Sequence, residues 1–202
     1  YEENPYPRWR YSHPFKEKKF SYVEIINSEI KPNLINNFLK SDNLNILIAG
    51  CGTGQQILDA QRYSKANITG IDLSASSLAF TQRKINEIGI NNVELIQMDI
   101  LDIHLLNKTF DIIECAGVLH HMHSPSDGLK ALLGALKKPG YLKLGLYSEL
   151  GRQDIINVRR YLKKYKIKPT IKNIINFRKK IISGRLEEFK DLKLRGDFYT
   201  TS

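Results

Sequence analysis

An α/β fold, with a parallel sheet covered by helices on both faces, is what this sequence predicts, and three observations predict it. The first is Ile46-Leu47-Ile48-Ala49 running into Gly50-Cys51-Gly52-Thr53-Gly54: an apolar strand, a glycine-dense turn, then an amphipathic helix. The second is the alternation of strand-like and helix-like segments from residue 46 to residue 147. That alternation requires parallel strands joined by crossovers, with helices on both faces. The third is that successive strands end in polar or small residues, namely Gly50, Asp72, Asp99 and Ala116-Gly117. In such a sheet these positions share the carboxyl edge, where ligands bind.

The elements follow in order. Residues 1–20 are aromatic and proline-rich and read as an irregular arm over the domain, whose Tyr6, Arg8 and Trp9 read as packing on the fold before they read as a cover for a site. Residues 21–40 space Val23, Ile26 and Ile30 on one face, then Leu34, Ile35, Phe38 and Leu39 after Pro32, which predicts two short helices. After the first strand, Gln55 to Tyr63 is helical with Ile57, Leu58 and Ala60 inward. Ile68 to Asp72 is a second strand, and Ser74 caps a helix that ends before Gly89. Val93 to Ile100 is a third strand, rich in β-branched residues. Phe110 begins a fourth strand, and a loop after it runs to Met122. Asp127 to Leu136 is helical, and Lys138-Pro139-Gly140 turns into a fifth strand over Tyr141 to Tyr147. Beyond Gly151 the pattern is helical. Ile155, Ile156, Val158, Tyr161 and Leu162 form one stripe, and Ile174, Phe177 and Ile181 form another, between Pro169 and Gly184.

The turn narrows the chemistry. Alternating glycines permit φ > 0 and let a ligand approach without meeting a Cβ, and the next helix begins with free N–H groups facing that ligand. A dinucleotide fingerprint requires glycine where this chain has Gln55, which disfavours a nicotinamide oxidoreductase. G-x-G-x-G after a strand instead resembles the first motif of class I S-adenosyl-L-methionine (SAM)-dependent methyltransferases. The resemblance covers about residues 44 to 148.

It implies a Rossmann-like parallel sheet and SAM as cofactor. Gly50, Cys51, Gly52, Thr53, Gly54 and Gln55 match the motif that meets the methionine moiety. Asp72, with Leu73 beside it, matches the ribose-binding carboxylate; Asp99 matches the acceptor from the adenine amino group, with Ile100 packing on the ring. Ala116 and Gly117 match the end of the fourth strand, and His120 and His121 follow it as candidate proton acceptors. Neither Asn-Pro-Pro-Tyr nor the proline–cysteine pattern of cytosine-5 enzymes occurs at the fourth strand. One departure stands out: the family carries an acidic residue two positions before the first glycine, where this chain has Ile48. That shifts recognition of the methionyl amino group to backbone, Thr53, Gln55 or Gln56. Tyr1 to Trp9, and Tyr147-Ser148-Glu149 with Gly151-Arg152, are similar to a bacterial group with tetratricopeptide repeats ahead of the methyltransferase domain.

Domain organisation follows: an arm and helices over 1–40, a SAM-binding core over 41–148, and a basic helical insertion or lid over 149–202. Five strands are legible where the full fold has seven, so the expectation is a segment truncated at both ends. Charge divides the same way. Residues 1–151 hold 16 basic and 16 acidic side chains, whereas residues 152–202 hold 15 and 5, which is all of the net +10. The block reads as a solvated helical face before it reads as a nucleic-acid surface, because no aromatic interleaving accompanies it.

No apolar run is long enough to span a bilayer, no basic-then-apolar leader opens the chain, and Cys51 and Cys115 read as packing residues of a reducing compartment. The expectation is therefore a cytoplasmic chain with no membrane association. His120, His121 and His123 lack partners at metal-ligand spacing. The leading function is methyl transfer from SAM to an unidentified acceptor; the alternative is a non-catalytic SAM-binding or scaffolding module of a larger repeat protein.

Overall fold

A computed structural model describes residues 18–36, 39, 43–195 and 198. Residues 1–17 of the N-terminal arm, with Tyr6, Arg8 and Trp9, and Phe38 of the second expected helix lie outside the described residues. The chain divides into two compact units, residues 1–146 and 147–202.

The first unit is built on five parallel strands: β1 (Leu44–Ala49), β2 (Ala66–Asp72), β3 (Val93–Gln97), β4 (Phe110–Ala116) and β5 (Leu136–Gly145). Their spatial order is β3-β2-β1-β4-β5. The order reverses at β1, which pairs with β2 on one side (Ile46 opposite Ile68) and β4 on the other (Ile46 opposite Ile112). That reversal is the switch point of the sheet, and in folds of this class ligands bind beyond the carboxyl ends of the strands there. The α/β class and its parallel Rossmann-like sheet are as the sequence predicts.

Alternation along β1 fixes both faces at once, since successive side chains point to opposite sides of a sheet. Ile46 and Ile48 enter one core with Tyr22 and Ile25 of α1 (Tyr22–Glu29), Ile57 and Ala60 of α2 (Gln55–Ala60), and Leu78 and Ile85 of α3 (Ala75–Ile88). Leu47 and Ala49 enter the other, with Ile113 and Cys115 of β4 and with Leu132 and Ala135 of α4 (Pro125–Ala135). Ser21 opens α1 as a capping box with Glu24, and Ser74 caps α3 through the Ser77 N–H.

Five local expectations are corrected. The third strand stops at Gln97, and Asp99 caps a 3₁₀ helix over Ile100–Leu106, its carboxylate accepting the Leu101 N–H at 2.9 Å. Of the second helix expected in residues 31–40, residues 33–36 form no regular element. α2 ends at Ala60, three residues short of Tyr63, whose buried ring is held by a hydrogen bond of its hydroxyl to Glu114 Oε1. α4 starts at Pro125, and β5 starts at Leu136, running through Lys138-Pro139-Gly140 with a register shift against β4. Proline at the first turn of a helix loses no hydrogen bond, which explains the earlier start of α4.

The second unit has its own core. α5 (Gln153–Lys164) and α6 (Ile171–Ile182) flank a 3₁₀ segment over Glu187–Leu194. Ile155, Val158 and Tyr161 of the expected stripe pack with Phe177 on Ile181, Leu186, Phe189, Leu192 and Phe198. The stripe therefore finds its cover inside this unit, in an element beyond Gly184 that the sequence pattern did not show. Arg195 closes the unit with a two-pronged pair to Asp154 and a hydrogen bond to the Gly151 carbonyl. Arg159, Lys163 and Lys164 are exposed, as charge on an amphipathic helix requires.

Candidate active site

The glycine turn is held from below by β2. The Gly50 and Cys51 N–H groups both donate to the Ile71 carbonyl, at 2.8 and 2.9 Å, which folds the chain sharply at the end of β1. Gly50, Gly52 and Gly54 all sit at positive φ (76°, 52° and 89°), a region that side-chain-bearing residues rarely occupy. Space excludes side chains as well. A Cβ on Gly50 would lie 2.3 Å from Val118 Cγ2, and one on Gly54 would lie 2.6 Å from Thr81 Cγ2.

Asp72, the last residue of β2, ties this turn to α3. One carboxylate oxygen accepts the Gly52 N–H at 2.8 Å and the other accepts the Ser74 N–H at 2.9 Å. Each oxygen keeps acceptor capacity for a further donor, so the group remains able to take two ribose hydroxyls. Thr81, buried on α3, places its hydroxyl 3.0 Å from the Gly52 carbonyl and 3.0 Å from its own helix at Ser77. The sequence reading missed Thr81; a threonine on the inward face of a helix was the available signal.

Across from the turn lies the end of β4. Gln56, in the first turn of α2, donates from Nε2 to the Ala116 carbonyl at 3.2 Å and so bridges β1's turn to β4. Gly117 continues from Ala116 at φ 80° and donates its N–H to the Gly145 carbonyl at 2.9 Å. At the β3 edge, the Met98 N–H donates to the Asp72 carbonyl and the Gln97 side chain donates to the Leu73 carbonyl, both at 3.0 Å.

Of the sequence-predicted residues, the structure gathers Gly50, Cys51, Gly52, Thr53, Gly54, Asp72, Ala116 and Gly117 at the carboxyl ends of β1, β2 and β4. Gln55 is exposed at the start of α2, and Leu73 is exposed beside Asp72. Asp99 is engaged as a cap through one oxygen, while Ile100 is buried in the core rather than presented at the surface. His120 and His121 stand on a short 3₁₀ turn (Leu119–His121) with ring centroids 4.2 Å apart, His120 half-buried and His121 exposed. Two clefts of about 590 and 640 Å³ open elsewhere, at the amino ends of the strands around Asn91 and Asn92, and share no residue with the glycine turn.

The two thiols are unsuited to nucleophilic work. Burial, with the Asp72 charge nearby, pushes Cys51 up to about 12, and burial pushes Cys115 up to about 11. They enter cores on opposite faces of the sheet and are both free. Ellman's reagent at neutral pH should therefore leave both unmodified in the native protein and titrate both in denaturant; rapid native labelling of Cys51 would show that the turn opens. Among the described residues, no group of three or more His, Cys, Asp or Glu is gathered to hold a metal ion, and no helix is long and apolar enough to cross a membrane.

Residues 46–140 match the family model described as a methyltransferase domain. The chain is 40% identical over 112 residues to an uncharacterized Synechococcus protein, covering 54% of this chain and 27% of that protein. It is 31% identical to the tRNA U34 carboxymethyltransferase of Nautilia profundicola, over 95% of this chain and 62% of that protein. Among solved structures, PKMT2 from Rickettsia typhi in complex with AdoHcy is 33% identical, with a TM-score of 0.45 over 48% of this chain and 19% of that one. The chain thus spans between about a quarter and three fifths of the length of these two curated relatives. The matched segment contains the glycine turn, β2, β3 and β4, and its family agrees with the methyltransferase class read from the sequence.

Proposed function

We propose that this chain binds SAM across the carboxyl ends of β1, β2 and β4 and transfers the methyl group to an acceptor. The observation that carries this reading is the cradle itself: three positive-φ glycines, anchored through the Gly52 N–H to a carboxylate that keeps room for two more donors. A methyltransferase-domain match over residues 46–140 supports the same cofactor. The residues fit the group: the cradle leaves no Cβ in the way, Asp72 suits vicinal hydroxyls, and the Asp99 oxygen not used for capping suits the adenine amino group.

When bound, SAM supplies a methyl carbon on a sulfonium whose sulfur leaves as a neutral thioether. What remains for the protein is positioning and exclusion of water, a contribution of up to roughly 7–11 kcal/mol. The turn would hold the methionyl end of the ligand, Asp72 the ribose at its middle and Asp99 the adenine end, with the end of β4 and Gly117 on the opposite side. His120 or His121 serves as proton acceptor where the acceptor atom is protonated. The similarity of residues 147–152 to a repeat-bearing group supports placing this unit within a longer repeat protein.

The second reading, a non-catalytic SAM-binding module, is favoured by Ile48, fully buried where related enzymes carry an acid. Two measurements decide. Calorimetry with SAM and with NAD should show binding of SAM alone; binding of NAD alone would overturn the cofactor. Incubation with methyl-labelled SAM and a cell extract, fractionated into protein, RNA and small molecules, should place label in one fraction; SAM binding without transfer would establish the module.

A further inference from the structure

Ile48 is an apolar residue fully inside the core, so the end of β1 offers no carboxylate to an ammonium group. The three neighbours that could replace it now separate. Thr53 is buried and already engaged, and Gln55 is turned to solvent. Gln56 differs from both: its Oε1 is buried and has no hydrogen-bond partner.

The orientation of that amide is fixed by chemistry. Its other terminal atom lies 3.2 Å from the Ala116 carbonyl, and a carbonyl can only accept, so the atom facing it must be the NH₂ nitrogen. Oε1 is then left as a buried acceptor in the first turn of α2, directly after the glycine turn. A buried acceptor without a donor is unfavourable by about 1–3 kcal/mol, and folded proteins retain few of them. A ligand that brings a donor removes that deficit on binding.

We propose that Gln56 Oε1 receives the α-ammonium of the methionyl group of SAM, the neutral amide taking the place of the missing carboxylate at position 48. The inference rests on the SAM-binding reading above. It is carried by an orphaned buried acceptor on the first turn after the glycine cradle, in a side chain tethered to the end of β4. An ammonium has three N–H donors, and Ala116, whose carbonyl retains a second lone pair, supplies an acceptor within reach of the same amide. Gln56 is a binding residue by this account and takes no part in proton transfer.

The test is a cycle of two ligands and three proteins, read by calorimetry. The ligands are S-adenosylhomocysteine and its analogue lacking the α-amino group; the proteins are the wild type, Gln56→Met and Gln56→Glu. In the wild type, loss of the amino group should weaken binding about 10- to 100-fold, the range for a hydrogen bond to a charged group. In Gln56→Met the two ligands should bind within about twofold of each other. Gln56→Glu should raise the preference for the amino-bearing ligand above wild type, and it reads the same cycle should Gln56→Met not fold. A preference unchanged in either folded variant, or a wild type indifferent to the amino group, overturns the assignment and leaves SAM binding standing. A wild type that binds neither ligand overturns the cofactor reading itself.

Discussion

Asp72→Ala is expected to weaken SAM binding by roughly 30- to 700-fold, a loss of roughly 2–4 kcal/mol. The size follows from two removals at one position. The ribose loses both charge-assisted acceptors, and the Gly52 and Ser74 N–H groups lose the oxygens they now reach at 2.8 and 2.9 Å. The second loss loosens the turn at the point where the ligand lies. Asp72→Asn separates the contributions, because it keeps one acceptor and removes the charge; an intermediate affinity is expected. Calorimetric titration with SAM checks both, with circular dichroism to establish that the variants are folded. A change below threefold for Asp72→Ala would reduce the residue to a structural tether.

Gly52→Val is expected to abolish measurable SAM binding while leaving the sheet folded. Gly52 sits at φ 52°, and a β-branched residue there is unfavourable by about 1–3 kcal/mol. Relief of that strain requires rotation of the backbone, which carries the Gly52 N–H away from Asp72 and the Gly52 carbonyl away from Thr81. A core built on Ile46, Leu47, Ile48 and Ala49 lies beneath the turn and is untouched, so the far-ultraviolet spectrum should persist. Gly89→Ala is the matched control. It introduces a side chain at φ 78° with no atom within 4 Å of the new Cβ, at the end of α3 away from the cradle. It should lower stability slightly and leave the affinity for SAM unchanged; equal loss of affinity in both variants would mean that backbone strain alone, anywhere, explains the effect.

Residues 46–72 were legible because their signals are local. An apolar run, three alternating glycines and a helix-period segment fix β1, the turn and α2 within fifteen residues, and Asp72 follows as the end of the next strand. Gln56 was only one of several options because its meaning depends on Ala116, sixty residues away, and on which of its atoms is left without a partner. Asp99 illustrates a different difficulty. Its carboxylate caps a 3₁₀ helix, an element with an i→i+3 pattern too short to print a periodicity on Ile100–Leu106. Beyond residue 150, the stripe on α5 was legible but its partner was not, since an amphipathic face states that it must be covered without stating by what.

The glycine turn has a kinetic and calorimetric consequence. Its N–H groups at Gly50, Cys51 and Gly52, and its carbonyl at Gly52, are already committed to β2 and α3 before any ligand arrives. The ordering entropy of the cradle is therefore settled during folding instead of at association. Encounter with the cofactor then requires no slow rearrangement of this segment, so association over the turn proceeds as capture by a preformed surface. The heat-capacity change on binding should be correspondingly small, set by the apolar area the ligand covers and free of any contribution from a folding loop.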